Sequence, residues 1–132
     1  MRLRVNRVAR PVTVFGPGRW LGLWVQGCGI CCPGCASEDT WDPAAGRDFE
    51  VAEFARSLAG AVLAERLTGV TLTGGEPTEQ GPALADLVAR VRAIVADGGA
   101  EPVDVLLFTG RTAAATARFG AEIGRASCRE RV

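Results

Sequence analysis

The chain is 132 residues long, 48% hydrophobic and 23% charged, which suits one domain with a modest core and excludes a disordered segment. Fifteen basic residues balance fifteen acidic ones, so no global field draws it to nucleic acid or anionic lipid. Histidine is absent, which excludes His-based triads, His general bases and Cys/His zinc sites built from this chain alone.

Every basic residue is arginine, a bias that a GC-rich genome produces without functional selection. The segment from Met1 to Val14 alternates charge with β-branched residues and has no continuous apolar region or small-residue cleavage site. A cytoplasmic protein is therefore expected. The longest apolar stretches, Trp20–Val25 and Val105–Phe108, fall far short of the roughly 20 residues of a membrane span, so no membrane partner is expected.

In chain order, Arg4–Phe15 alternates enough for a first strand or hairpin arm. A loop at Gly16-Pro17-Gly18-Arg19 leads into a second strand, Trp20–Gln26. A Pro/Gly/Asp-rich stretch from Asp42 to Asp48 precedes apolar residues at Val51, Phe54, Leu58, Ala61 and Val62, whose spacing predicts a helix near 50–66. Val70 and Leu72 mark a strand ending in Gly74-Gly75-Glu76-Pro77. The next helix shows its stripe in Leu84, Leu87, Val88, Val91, Ile94 and Val95, with Pro82 in its first turn and Gly98 at its end. Val103–Phe108, apolar except for Asp104, reads as a strand covered on both faces over most of its length, before Thr109-Gly110-Arg111 opens a further helix. Strands alternating with helices predict right-handed crossovers and a parallel sheet, with the Cys cluster, the Gly-Gly-Glu-Pro turn and the Thr-Gly-Arg turn on one rim.

Residues 122–132, EIGRASCRERV, look like the translation of a common sequencing adapter. The expected domain is therefore 1–121, a core cut short at its C-terminal end, and the tail with Cys128 is set apart from fold reasoning. The alternative is a genuine basic tail carrying a free cysteine.

Chemistry concentrates in Gly27-Cys28-Gly29-Ile30-Cys31-Cys32-Pro33-Gly34-Cys35. These thiols are too crowded for two separated zinc knuckles, and the adjacent Cys31 and Cys32, with Cα atoms about 3.8 Å apart, make a strained disulfide. Taken as Cys28-x3-Cys32-x2-Cys35, the loop supplies three thiolates to a [4Fe–4S] cluster and leaves the fourth iron open. Glycine at 27, 29 and 34 lets backbone wrap the sulfides. Free structural or reactive thiols are the competing reading.

Several strings together resemble the radical S-adenosylmethionine superfamily, most of all the small activating proteins of anaerobic ribonucleotide reductase and related glycyl-radical enzymes. They are Gly16-Pro17-Gly18-Arg19, Leu23-Trp24-Val25-Gln26-Gly27-Cys28, Cys32-Pro33-Gly34-Cys35, Thr40-Trp41 and Gly74-Gly75-Glu76-Pro77, in the family's order. The resemblance implies an α/β fold, a partial (β/α) barrel of radical type. It implies that Cys28, Cys32 and Cys35 hold the cluster and that the open iron takes S-adenosylmethionine. Reductive cleavage then releases a 5′-deoxyadenosyl radical, which takes hydrogen from a glycine of a partner enzyme such as anaerobic ribonucleotide reductase. An electron donor such as flavodoxin or ferredoxin is implied too.

For S-adenosylmethionine binding, Gly74 and Gly75 admit close approach of the methionyl end, Glu76 accepts from its ammonium group, Pro77 fixes the turn, and Thr109 with Gly110 adds a contact. Gly-Gly-Glu-Pro alone reads as an ordinary tight turn, as does the glycine after Thr109. Arg19 and Arg111 meet either the carboxylate or a partner, or only solvent. Trp24 and Trp41 read as packing residues. Ala36 stands where the family usually has an aromatic, and Cys31 lies inside the triad at a position that is not normally a ligand. The alternative functions are a radical enzyme with another substrate, and an iron–sulfur or zinc module that binds or transfers electrons without cleaving S-adenosylmethionine.

Overall fold

The computed structural model describes residues 1–13, 18–31, 38–111, 117 and 126–130, the last segment by its backbone alone. The first strand, β1 (Arg2–Val12), and the second, β2 (Trp20–Val25), pair antiparallel. β3 (Arg47–Glu50) adds to the other edge of β1, also antiparallel. β4 (Gly69–Gly74) lies parallel to β2, β5 (Asp104–Thr109) parallel to β4, and β6 (Ala126–Glu130) parallel to β5. The sheet order is β3-β1-β2-β4-β5-β6.

The molecule is thus mixed α/β, and the parallel sheet expected from the alternating pattern holds for β2, β4 and β5. The antiparallel pairing of β1 with β2 is that of a hairpin arm; the correction concerns β3, which adds antiparallel to β1, and closure: the described sheet is open, with β3 and β6 at its edges. β3 was not anticipated because four residues, Arg-Asp-Phe-Glu, are too short and too polar for a periodicity argument. Its backbone pairing to β1 forms it, helped by Arg2, whose Nε donates to Asp48 at 2.9 Å.

Helix α1 (Val51–Glu65) turns Val51, Phe54, Leu58 and Val62 onto the sheet at the predicted spacing and is closed by Arg66 in the left-handed region, φ 52°. Helix α2 (Gly81–Asp97) starts with Pro82 in its first turn and buries Leu84, Leu87, Val88, Val91 and Val95, with Ile94 half-buried against the same core. Gly98 caps it, although the left-handed turn falls on Gly99, φ 75°. The two helices pack on each other and on one sheet face, where Leu3, Val5, Leu21, Leu23, Val25, Val70, Leu72, Val105 and Leu107 join them in a single core. Strand alternation puts Trp24, Thr71, Thr73 and Phe108 on the opposite face.

No helix among the described residues is long and apolar enough to cross a membrane. The helix expected after Arg111 falls outside the described residues, apart from residue 117.

Candidate functional site

β2, β4 and β5 run parallel, so their carboxyl ends meet at one rim, and the loops that follow them are the three singled out in the sequence. The first carries Gly27, Cys28 and Gly29. Its backbone is held from both sides: Gly27 N–H donates to the Thr40 carbonyl at 2.6 Å and Cys28 N–H to the Trp41 carbonyl at 3.2 Å, while the Gly27 carbonyl accepts from Glu76 N–H at 2.9 Å. Glu76 belongs to the second loop, so the cysteine loop and the Gly-Gly-Glu-Pro turn are joined directly.

That joint needs glycine twice. Gly74 sits at φ 103°, a region other residues rarely adopt, and a side chain there would run into the Val25 backbone at 2.5 Å. A Cβ on Gly75 would stand 2.1 Å from the Gly27 carbonyl oxygen, so the close approach of the two loops excludes any larger residue. Pro77 is buried and opens a short 3-10 turn, Pro77–Gln80.

Glu76 is 1% exposed. One of its oxygens accepts from Gly110 N–H at 2.8 Å, the other from Thr78 N–H at 3.1 Å and from the Thr78 hydroxyl, and the Thr109 hydroxyl lies 2.8 Å from both. Its carboxyl group therefore ties the second loop to the third. Thr109 is itself buried and accepts from Arg111 N–H at 3.0 Å. The structure brings together Cys28, Gly74, Gly75, Glu76, Pro77, Thr109, Gly110 and Arg111.

Arg19 is not among them. It precedes β2 at the amino end, where its carbonyl accepts from Thr68, roughly 20 Å of strand away from the rim. Trp24 stacks beneath the Arg7 guanidinium, 4.5 Å from its ring centroid. Cys32, Cys35 and Ala36 lie outside the described residues. Cys31 is exposed, at φ 49°, and its thiol donates to the Cys28 carbonyl at 2.9 Å.

A cavity of about 460 Å³ opens beside Cys28, lined also by Gln26, Gly27, Gly29, Trp41 and Glu79. The residues sequence reasoning missed stand around it. Glu79 accepts from Gly29 N–H through both oxygens, at 2.8 and 3.0 Å. Gln26, 3% exposed, donates to the carbonyls of Asp39 and Asp42, and Gln80 donates to those of Arg4 and Gln26. Gln26 stands in the string Leu23–Cys28 that carries the family resemblance, but its bracing role is not marked there; Glu79 and Gln80 act on partners far away in sequence.

The described part of the loop fits an iron–sulfur cluster. Cys28 offers a half-buried soft thiol on the wall of an open cavity, and its neighbours on both sides have no side chain to block approach.

A family model described as a 4Fe-4S single cluster domain matches residues 14–123. The anaerobic ribonucleoside-triphosphate reductase-activating protein of Enterobacteria phage T4 is 34% identical over 82 residues, 61% of this chain and 52% of that protein. Its counterpart in Escherichia coli K12 is 34% identical over 85 residues, covering 61% and 54%. The pyruvate formate-lyase-activating enzyme of Clostridium pasteurianum is 31% identical over 87 residues, covering 64% and 37%. The chain thus spans about half the length of these relatives, or less. Among solved structures, QueE from Escherichia coli superposes with a TM-score of 0.52 at 14% identity, over 83% of this chain and 53% of that one, a likeness of fold. The cofactors of such domains are a [4Fe–4S] cluster, expected from the cysteine spacing, and S-adenosylmethionine, expected from the family resemblance. With the family model covering most of its length, and Cys28 and the glycine-rich turn meeting at one rim, the chain belongs to the 4Fe-4S single cluster domain family, of the radical S-adenosylmethionine type.

Proposed function

We propose that this chain is the cluster-bearing part of an activating enzyme that installs a glycyl radical on a partner such as anaerobic ribonucleotide reductase. The observation that carries the reading is the interlock of Gly75 and Glu76 with Gly27, one residue before the first cysteine. It makes the turn for the methionyl end and the cluster loop a single unit. The relatives that support the choice of partner are activating proteins by name.

In this reading Cys28, Cys32 and Cys35 hold the cluster, and Gly74, Gly75, Glu76, Pro77 and Thr109 form the S-adenosylmethionine side of the rim. Held by those three cysteines, the cluster would supply the electron for reductive cleavage of S-adenosylmethionine, the chemistry by which hydrogen would be taken from the partner's glycine. The chain's own residues orient: the 74–77 turn presents backbone, and Glu76 with Thr109 keeps the second and third loops in register. We place the protein in the cytoplasm with a flavodoxin or ferredoxin as electron donor. Its sheet is read as the first part of a partial barrel, with residues 1–121 as the native core and 122–132 as a non-native tail.

Anaerobic reconstitution followed by reduction should yield 5′-deoxyadenosine from S-adenosylmethionine. Cys28→Ala, Cys32→Ala and Cys35→Ala should each lose the cluster absorbance, whereas Cys31→Ala should keep it. Spectra showing only zinc, or a cluster that leaves S-adenosylmethionine intact, would favour a metal-binding or electron-transfer module instead. Coupled assay with a glycyl-radical reductase, read by the radical's electron paramagnetic resonance doublet, tests the partner.

A further inference from the structure

We infer that Glu79 is a positioning residue for the cysteine loop, one that holds the Gly29 amide and sets how readily a cluster on that loop accepts an electron; the second half rests on the cluster reading above. Gly29 directly follows Cys28, and its N–H is shared between the two carboxylate oxygens of Glu79 at 2.8 and 3.0 Å. The approach is close: a Cβ at 29 would stand 2.5 Å from Glu79 Oε1, so a larger residue there would push the glutamate tip aside. Glu79 in turn is delivered by the 3-10 turn Pro77–Gln80, whose first residues are anchored by buried Pro77 and Glu76.

The other side of Glu79 faces the third loop. Arg111 brings a guanidinium nitrogen to 3.6 Å from Glu79 Oε1, and its Nε donates to the Thr78 hydroxyl at 3.1 Å. One carboxylate thus bridges a backbone amide next to a cysteine and an arginine two strands away. None of these residues belongs to the cysteine triad.

Two consequences follow for electron uptake. Backbone N–H groups directed at cluster sulfur favour the reduced form. The Gly29 N–H is committed to Glu79 and is withheld from that role. In addition, Glu79 and Cys28 line the same cavity, so the carboxylate's charge opposes a further negative charge there. Both effects make reduction harder. Their size is limited because the Glu79 side chain is 34% exposed and Arg111 partly offsets its charge.

The test uses the full chain. Glu79→Gln keeps an oxygen for Gly29 and removes the charge, while Glu79→Ala removes both. Unsubstituted protein is first reconstituted anaerobically and its iron and sulfide are measured. At the potential that half-reduces it, Glu79→Gln should show a reduced-to-oxidised ratio about threefold to tenfold higher, with unchanged iron content. Glu79→Ala should shift the same way and release iron to a chelator faster. In metal-free protein, hydrogen exchange at Gly29 should be faster in Glu79→Ala and close to the parent in Glu79→Gln.

An unaltered ratio in a fully loaded Glu79→Gln protein would overturn the electronic role, and unaltered Gly29 exchange in Glu79→Ala would overturn the positioning role. If the parent itself takes up no cluster, the cluster reading fails, and the exchange experiment still decides whether Glu79 holds the loop.

Discussion

Glu76, singled out by its place after a glycine-rich turn, has a setting that the turn alone does not disclose. The glycine-rich string announces a turn, and an acidic residue after it invites a cationic ligand. In the folded chain its acceptor positions already face donors: two backbone N–H groups, one per oxygen, and two threonine hydroxyls. A carboxylate offers about four lone-pair sites, so an ammonium group reaching Glu76 must displace one of these donors. This arrangement also makes glutamine a poor replacement. Whichever way the amide of Glu76→Gln is turned, its NH2 confronts a backbone N–H, from Gly110 or from Thr78, and one part-buried donor loses its acceptor. The expected loss is about 1–3 kcal/mol of unfolding free energy, read by urea denaturation, with Thr109→Val falling short of it. Equal stability of Glu76→Gln and the parent would refute the bracing role. Glu79 was not legible at all, since its hydrogen-bond partner lies 50 positions earlier and nothing local marks the pair.

Among the elements, the two helices were legible because burial on one side imposes a 3.6-residue period that survives any detail of tertiary contact. Their starts also fall where the spacing and Pro82 put them, although the cap of α1 is not one the sequence marks. α1 begins not at an Asp, Ser or Thr but at Glu50, whose carboxylate accepts from Glu53 N–H at 3.0 Å. That hydrogen bond, opposed by some desolvation, holds the Glu50 carboxyl below its ordinary value of 4.5. Because the folded-state value is the lower one, the cap's contribution is complete above pH 4.5 and disappears as pH falls through the lowered value. Thermal unfolding should therefore show Glu50→Gln melting below the parent at pH 7, with the gap narrowing as the pH is taken under 4.5. A gap constant across that range would mean that charge plays no part in the cap. The same Glu50 ends β3, the strand that sequence reading passed over. Short polar edge strands are formed by their neighbour's unpaired backbone, and that neighbour, β1, is 11 residues long and needed a partner on this side.

At the scale of the molecule, the site depends on three parallel strands ending together, and the outermost of them, β5, would be an edge without β6. Its residues make the edge hazardous: beyond the exposed Asp104 at its start, Val105, Leu106, Leu107 and Phe108 are all apolar, with no charge or proline among them to deter pairing with another chain. In the structure Ala126–Glu130 runs parallel to it, from Val105 opposite Ala126 to Thr109 opposite Glu130. The pairing is made by backbone, so it tolerates almost any extended sequence, including a string that resembles a translated adapter. The covering strand and the origin of the tail are therefore separate questions. Sequence comparison with the genomic locus answers the second. For the first, a chain ending at residue 121 should expose the β5 edge, melt at a lower temperature and self-associate with rising concentration, as followed by size-exclusion chromatography with light scattering. A monodisperse monomer with an unchanged melting temperature would show that the tail does not cover β5 in solution. In that case the loops after β4 and β5 keep their register through the β4–β5 pairing, the hydrogen bonds of Glu76 to Thr109 and Gly110 and the contacts of Arg111 with Thr78 and Glu79, and Glu76→Gln in the shortened chain would then be expected to loosen them.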